Sequence, residues 1–253
     1  MGVLDPAPGG LIATHVHGHS HGHDHDHDHD HDHPPAELVE LETRILATNE
    51  RLAQRNRAWL GERSIVALNL MSSPGSGKTT LLERTLRTLD RRCSVLEGDQ
   101  ETSRDADRIR ATGAAVVQIN TGQGCHLEAQ MVFQGLEALA PPPSSVLFIE
   151  NVGNLVCPAL FDLGEAGRVV LFSVTEGEDK PEKYPHMFRS ADLVLLTKID
   201  LLPYLDFDVD RALTAIRSVN AHAPVLRVSA RSGEGLESWL DWIRAQGRGS
   251  EST

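Results

Sequence analysis

The sequence has few of the residues that staple a secreted domain. Its 253 residues include three cysteines, Cys93, Cys125 and Cys157. Three cannot build a disulfide framework, so a reducing compartment is expected. Cations are also scarce: 24 Lys and Arg stand against 36 Asp and Glu, a formal charge of −12. That balance argues against general nucleic-acid binding, which needs clustered Lys and Arg. No stretch reaches the ~18 consecutive apolar residues of a membrane span. The N-terminus does not pair a basic region with an apolar one, so no secretory signal is expected. The chain therefore reads as cytoplasmic, with neither a membrane nor a nucleic-acid partner. Tyrosine occurs only twice.

Histidine occurs 13 times, and ten of these fill every second position of one short segment. They are His15, His17, His19, His21, His23, His25, His27, His29, His31 and His33. Asp supplies the last five spacers. Residues 1–36 contain six Asp and no Lys or Arg, so they carry half of the net charge. Residues 1–35 cannot bury enough apolar surface to offset their conformational entropy, and disorder is expected. Many imidazoles on a flexible chain suit labile binding of Ni²⁺ or Zn²⁺. A solvated tail whose charge changes near pH ~6.5 is the plainer alternative.

The rest reads as one α/β domain over 36–246, with a loose end at 247–253. A helix pattern runs from Ala36 to about Leu60. Strands are then expected at 65–71, 94–97, 115–119, 146–150, 169–174, 193–197 and 225–229. Helices are expected at 81–89, 104–112, 127–139, 209–220 and 236–245. This alternation predicts a three-layer sandwich, a mostly parallel sheet with helices on both faces.

Chemistry enters after the first strand. Ser72-Ser73-Pro74-Gly75-Ser76-Gly77-Lys78-Thr79-Thr80 matches G-x-x-x-x-G-K-[ST] except that Ser72 replaces the first Gly. The strand before and helix after it are the context of a phosphate-binding P-loop. Backbone N–H groups of Gly75, Ser76, Gly77 and Lys78 can converge on phosphate at a helix N-terminus. Lys78 is expected to reach the β- and γ-phosphates, and the Thr79 hydroxyl to bind Mg²⁺. Thr80 extends the loop.

Thr197-Lys198-Ile199-Asp200 is similar to the guanine-reading N-K-x-D, with Thr for Asn. A carboxylate at Asp200 can accept from a ring N–H and an amine that adenine does not present together. The Lys198 stem can lie along the base. Ser229-Ala230-Arg231 is similar to the S-A-K loop that reads the guanine oxygen. Glu150-Asn151-Val152-Gly153 ends another strand, where a Walker-B acid and a switch glycine belong. Glu150 is the candidate Mg²⁺ acid, and Gly153 the candidate γ-phosphate donor. Asp99 ends a third strand and is the candidate for orienting attacking water or a Mg²⁺ ligand. Its plainer alternative is a helix N-terminal acid.

Cys125-His126 and Cys157 carry soft-metal ligands beside these loops. Their spacing is no standard finger, and three ligands do not close a tetrahedron. A site shared across a two-fold axis is one solution. Two buried thiols and a capping His is another. Cys93 reads as structural.

Taken together, NLMSSPGSGKTTLL (69–82), EGD (97–99), GQGCHL (122–127), ENVGNLVC (150–157), EGEDKP (176–181) and TKIDLL (197–202) resemble the HypB/UreG family of SIMIBI-class GTPases. The resemblance covers about residues 38–245. It implies a nickel-delivering GTPase of [NiFe]-hydrogenase maturation, using GTP, GDP and Mg²⁺. It implies that Cys125, His126 and Cys157 hold Ni²⁺ or Zn²⁺ near a GTP-dependent homodimer interface. It implies two partners, the nickel chaperone HypA and the hydrogenase large-subunit precursor. The Cys-x-x-Cys-Gly-Cys start of some members is missing here. The His-rich tail resembles nickel-storing variants instead. Two other readings stay open: a urease-type relative, and a nickel or zinc buffer with vestigial nucleotide binding.

Overall fold

The computed structural model describes residues 36–99, 104–122 and 124–247. Among these residues seven strands form a single sheet: β1 Val66–Ser72, β2 Cys93–Asp99, β3 Ala115–Asn120, β4 Val146–Glu150, β5 Gly167–Ser173, β6 Leu193–Thr197 and β7 Val225–Val228. Their spatial order is β3-β2-β4-β1-β5-β6-β7. Every pairing is parallel, so the "mostly parallel" expectation sharpens to wholly parallel. Among the described residues, eight α-helices connect and cover them: α1 Ala36–Gly61, α2 Lys78–Thr88, α3 Arg104–Arg110, α4 Ala129–Leu139, α5 Lys180–Lys183, α6 Pro185–Arg189, α7 Val209–Val219 and α8 Leu236–Ala245.

The central strand β1 shows why both faces must be covered. All seven of its residues are buried. Alternate side chains take opposite faces, as strand geometry requires. Val66, Leu68 and Leu70 join Leu81 and Leu82 of α2 and Trp239, Leu240 and Ile243 of α8. On the other face Ala67 packs with Leu60 of α1 and Val132 and Leu136 of α4. Met71 packs with Met187 and Phe188 of α6 and Ala212 and Ile216 of α7. Asn69 lies between these two clusters, fully buried in the middle of the strand.

Most boundaries fall within a few residues of the sequence reading. Helix α2 starts at Lys78 rather than Leu81, because it begins inside the phosphate motif. Helix α4 starts at Ala129 rather than Leu127. The Leu127 N–H bonds the Asn151 side chain instead. Short helical turns at Cys157–Leu160, Lys180–Lys183, Pro185–Arg189 and Ile199–Tyr204 were not anticipated. Three contain Pro near their start, which presets φ for a first turn. The fourth contains Pro203 inside it.

A cleft and a cation-ready cluster on adjoining loops

The loops after β1, β2, β4 and β6 meet at one edge of the sheet. In a parallel sheet that edge is where ligands bind. They enclose a cleft of about 590 Å³ lined by Pro74–Thr80, Asp99, Asp105, Arg108, Glu150, Val152, Gly153 and Lys198. The structure thus brings Gly75, Ser76, Gly77, Lys78, Thr79, Thr80, Asp99, Glu150 and Gly153 together. Gly75 and Gly77 hold φ of +74° and +98°, conformations that side-chain-bearing residues rarely adopt. A Cβ on Gly153 would meet Pro74 Cα at 3.0 Å, so the β4 loop lies directly on the phosphate loop.

The replaced glycine has a visible part to play. Ser72 Oγ accepts from Lys78 Nζ at 2.8 Å and from Ser76 Oγ at 2.6 Å. Its own hydroxyl donates to the Ser73 carbonyl at 2.6 Å. The hydroxyl at 72 therefore holds the lysine head inside the loop. Burial lowers the Lys78 pKa, and Glu150, Asp105 and Glu176 oppose that fall. Glu176 accepts from Ser73 Oγ and from the Ser173 N–H, tying the loop to the end of β5.

Thr79 Oγ1 donates to Glu150 Oε1 at 2.7 Å. Burial raises the Glu150 pKa, and Lys78 and the Thr79 bond pull it back. Glu150 Oε2 is buried with no hydrogen-bond partner. A buried, half-satisfied carboxylate beside a Thr hydroxyl fits a Mg²⁺ ion, whose preferred donors are oxygens.

Two residues of the cleft, Asp105 and Arg108, were not singled out from the sequence, and Glu97, behind the cleft, was given no role there. Glu97 of β2 stands opposite Glu150 in the strand register. Burial, then Glu150, Asp99 and Asp105, push its pKa up to about 8. Arg108 on α3 donates to Thr80 Oγ1 at 3.1 Å and pairs with Glu83 at 2.6 Å and Asp105 at 3.3 Å. The Asp105/Arg108 pair, one helical turn apart just after a strand end, was the available signal.

A second cavity, about 200 Å³, adjoins the first. It is lined by Ser76, Gly77, Thr80, Leu81, Thr197, Lys198, Asp200, Leu201, Val228, Ala230 and Arg231. Ser229 Oγ donates to Asp200 Oδ1 at 2.6 Å, which fixes the carboxylate. Thr197 Oγ1 donates to the Ser76 carbonyl at 2.9 Å, so Thr in place of Asn still joins β6 to the phosphate loop. Lys198 adopts φ of +59° and its Nζ donates to the Gly75 carbonyl at 2.7 Å. That arm runs past the mouth of the pocket.

Cys125, His126 and Cys157 converge. One ligand atom from each lies within 4.8 Å of the others, all partly buried. Cys125 Sγ and His126 Nδ1 are 3.5 Å apart. The His126 ring stacks on Phe161 with centroids 4.0 Å apart. Burial lowers the His126 pKa against the pull of Glu128, which favours the neutral imidazole, the form that binds a metal. Its Nε2 is buried with no hydrogen-bond partner, and Glu128 Oε1 lies 3.8 Å away. The neighbouring Cys125 thiol raises the Cys157 pKa. A ligand cation is what would relieve both features, since metal binding displaces thiol protons. Cys93 is separate, and burial pushes its thiol up to about 11. The ten histidines at 15–33 lie outside the described residues, as do 1–35 generally.

Comparison with known proteins agrees with this geometry. Residues 66–227 match the family model described as CobW/HypB/UreG, nucleotide-binding domain. Hydrogenase maturation factor HypB of Escherichia coli K12 is 56% identical over 211 residues, covering 83% of this chain and 73% of that protein. The crystal structure of HypB from Helicobacter pylori in complex with nickel superposes with a TM-score of 0.77 at 40% identity. That match covers 79% of this chain and 95% of the other. HypB from Archaeoglobus fulgidus superposes with a TM-score of 0.73, again at 40% identity, covering 78% and 98%. The chain belongs to the CobW/HypB/UreG family, among its HypB members.

Proposed function

We propose that this protein is a GTP-hydrolysing nickel metallochaperone that stores Ni²⁺ and delivers it during [NiFe]-hydrogenase maturation. One observation carries the proposal. The loop that closes the cleft at Gly153 supplies Cys157 four residues later. A change at the γ-phosphate then has a short path to the metal ligands.

The residue roles follow from position. N–H groups of the phosphate loop cradle the phosphates, with Lys78 reaching their outer oxygens. Asp200 and the Ser229–Arg231 loop read guanine, and the Lys198 stem lies along the base. Thr79, Glu150 and Asp99 would hold Mg²⁺, which when bound neutralises charge on the β- and γ-phosphates. Asp99 orients the attacking water. With GTP bound, two protomers associate and complete the three-ligand cluster. Hydrolysis loosens it and releases Ni²⁺ to the chaperone HypA or to the large-subunit precursor. Zn²⁺ suits the same Cys/His set and is the competing ion. The tail at 1–35 is a labile reservoir for a cytoplasmic GTPase domain at 36–246. Support for this reading comes from the nickel complex of the H. pylori relative and from the names of the related maturation factors.

Complementation tests it. In a strain lacking its own maturation factor of this type, the wild type should restore hydrogenase activity. Lys78→Ala and Cys157→Ala should each fail. Full rescue by Lys78→Ala would favour a passive metal buffer. Rescue of urease rather than hydrogenase would favour the urease-type reading.

A further inference from the structure

A chain of buried side chains joins the end of β4 to both walls of the metal cluster. It starts at Asn151, the residue after Glu150, which is 1% exposed. Asn151 Oδ1 accepts from the Leu127 N–H at 3.1 Å and from its neighbour Val152 N–H at 3.0 Å. Leu127 directly follows His126. Asn151 Nδ2 donates to Asn69 Oδ1 at 3.3 Å. Asn69 Nδ2 donates to Glu165 Oε1 at 3.3 Å. Glu165 Oε2 accepts from the Leu163 N–H at 2.7 Å, two residues beyond the Phe161 ring that stacks on His126.

The direction of each bond is fixed chemically. Two backbone N–H donors at one end and a carboxylate at the other leave each amide a single orientation. The placement is costly unless every partner is present. Asn69 sits inside a central strand between two apolar clusters, and an unpaired amide there would be strongly destabilising. Asn151 also belongs to β4's exit: its backbone N–H bonds the Leu70 carbonyl at 3.0 Å. Asn151, directly after the carboxylate strand, thus bonds the strand leading to the phosphate loop at Asn69 and Leu70 and the backbone beside His126 at Leu127.

We infer that Asn151 is the positioning residue through which the nucleotide site and the Cys125–His126–Cys157 cluster sense one another, with Asn69 and Glu165 as its extension to the second wall. This rests on the proposed GTP-coupled metal site. Displacement of the Glu150–Gly153 loop moves Oδ1, and with it the Leu127 N–H and the His126 ring. The second arm moves Leu163 and the platform under that ring. Asn151 touches neither phosphate nor metal itself.

The test uses the full chain with Ni²⁺ as the probe. Thiolate-to-nickel charge-transfer absorption reports only cysteine ligation, because the tail offers imidazoles and carboxylates but no thiol. The Ni²⁺ dissociation constant is measured with GDP and with a non-hydrolysable GTP analogue. In the wild type the two should differ about fivefold or more, the low end of ordinary coupling. In Asn151→Ala the ratio should fall below about twofold, with GDP affinity nearly unchanged. Glu165→Gln keeps the shape but removes the charge paired with Arg168, and its single amide oxygen cannot accept both from Asn69 Nδ2 and from the Leu163 N–H. It should reduce the ratio as well, and it decides the matter if Asn151→Ala fails to bind GDP. A wild-type ratio of one overturns the coupled-site reading and the relay together. A coupled wild type with an equally coupled, folded variant overturns the relay alone.

Discussion

In the nucleotide cleft, groups from the strand ends and the loops after them fix one another. Ser72 holds Lys78, Glu150 holds Thr79, Thr197 holds Ser76 and Ser229 holds Asp200. The Cys125–His126–Cys157 cluster is built differently. Its ligands lie on two loops, their contacts are long, and His126 Nε2 has no hydrogen-bond partner. Each site leaves a buried polar atom unpartnered, Glu150 Oε2 in one and His126 Nε2 in the other, but only in the cleft are the neighbouring side chains fixed by short hydrogen bonds. That contrast suits a device in which nucleotide is read first and metal geometry follows.

The contrast can be broken most severely at Lys78. Lys78→Ala should lower GTP hydrolysis by at least about 10²-fold, read as phosphate release. Substantial turnover in that variant would remove the cleft from the chemistry. At the other site, Cys125→Ala or Cys157→Ala should weaken nickel affinity by about 10²-fold or more and abolish the charge-transfer band. Metal-free hydrolysis should stay near wild type. If hydrolysis fell equally, the two regions would be one site.

Asp200→Asn should reduce the preference for GTP over ATP by about tenfold or more, since a charge-assisted bond is lost. Nickel affinity measured without nucleotide should not move. A gentler probe is the support of the metal loops. Asn56 Nδ2 donates to the Ala129 and Leu163 carbonyls, and so clamps α1 onto both walls. Asn56→Ala should cost about 1–3 kcal/mol in urea unfolding. The nucleotide pocket should keep its affinity once the protein is folded.

The smallest effect concerns Cys93. Its thiol pKa of about 11 lies above the ordinary value of 9.0. The folded state therefore retains a proton that the unfolded chain releases, and Cys93 weakens stability only as pH rises between those values. At neutral pH it carries almost no thiolate. Iodoacetamide should label it far more slowly than Cys157 in metal-free protein, as peptide mass spectrometry would show. Equal rates would contradict its burial.

What the sequence disclosed follows the same division. Strand–GSGKTT–helix is local, and so is TKID after a strand, so both could be placed with their ligands in mind. Spacing alone marks Cys125, His126 and Cys157 only as ligand types, and their union in one site came from the family resemblance, because their convergence depends on two loops 30 or so residues apart. Glu97, Arg108 and the Asn151–Asn69–Glu165 chain carried less signal still. Glu97 matters because strand register sets it against Glu150. Asn69 and Glu165 are 96 positions apart and meet only when β1 is buried under α1 and α4. A polar residue inside an apolar strand was the trace of that network, but its partners were not readable from spacing. Ser72 is the opposite lesson: a departure from the motif that the fold uses to hold Lys78.

The central claim is thermodynamic linkage between the two regions, and linkage is reciprocal. The most direct measurement is the full chain's affinity ratio for GDP over a non-hydrolysable GTP analogue, without nickel and with the cysteine site filled. The account predicts that nickel changes this ratio by the same factor, about fivefold or more, by which nucleotide changes nickel affinity. A ratio untouched by nickel would contradict it.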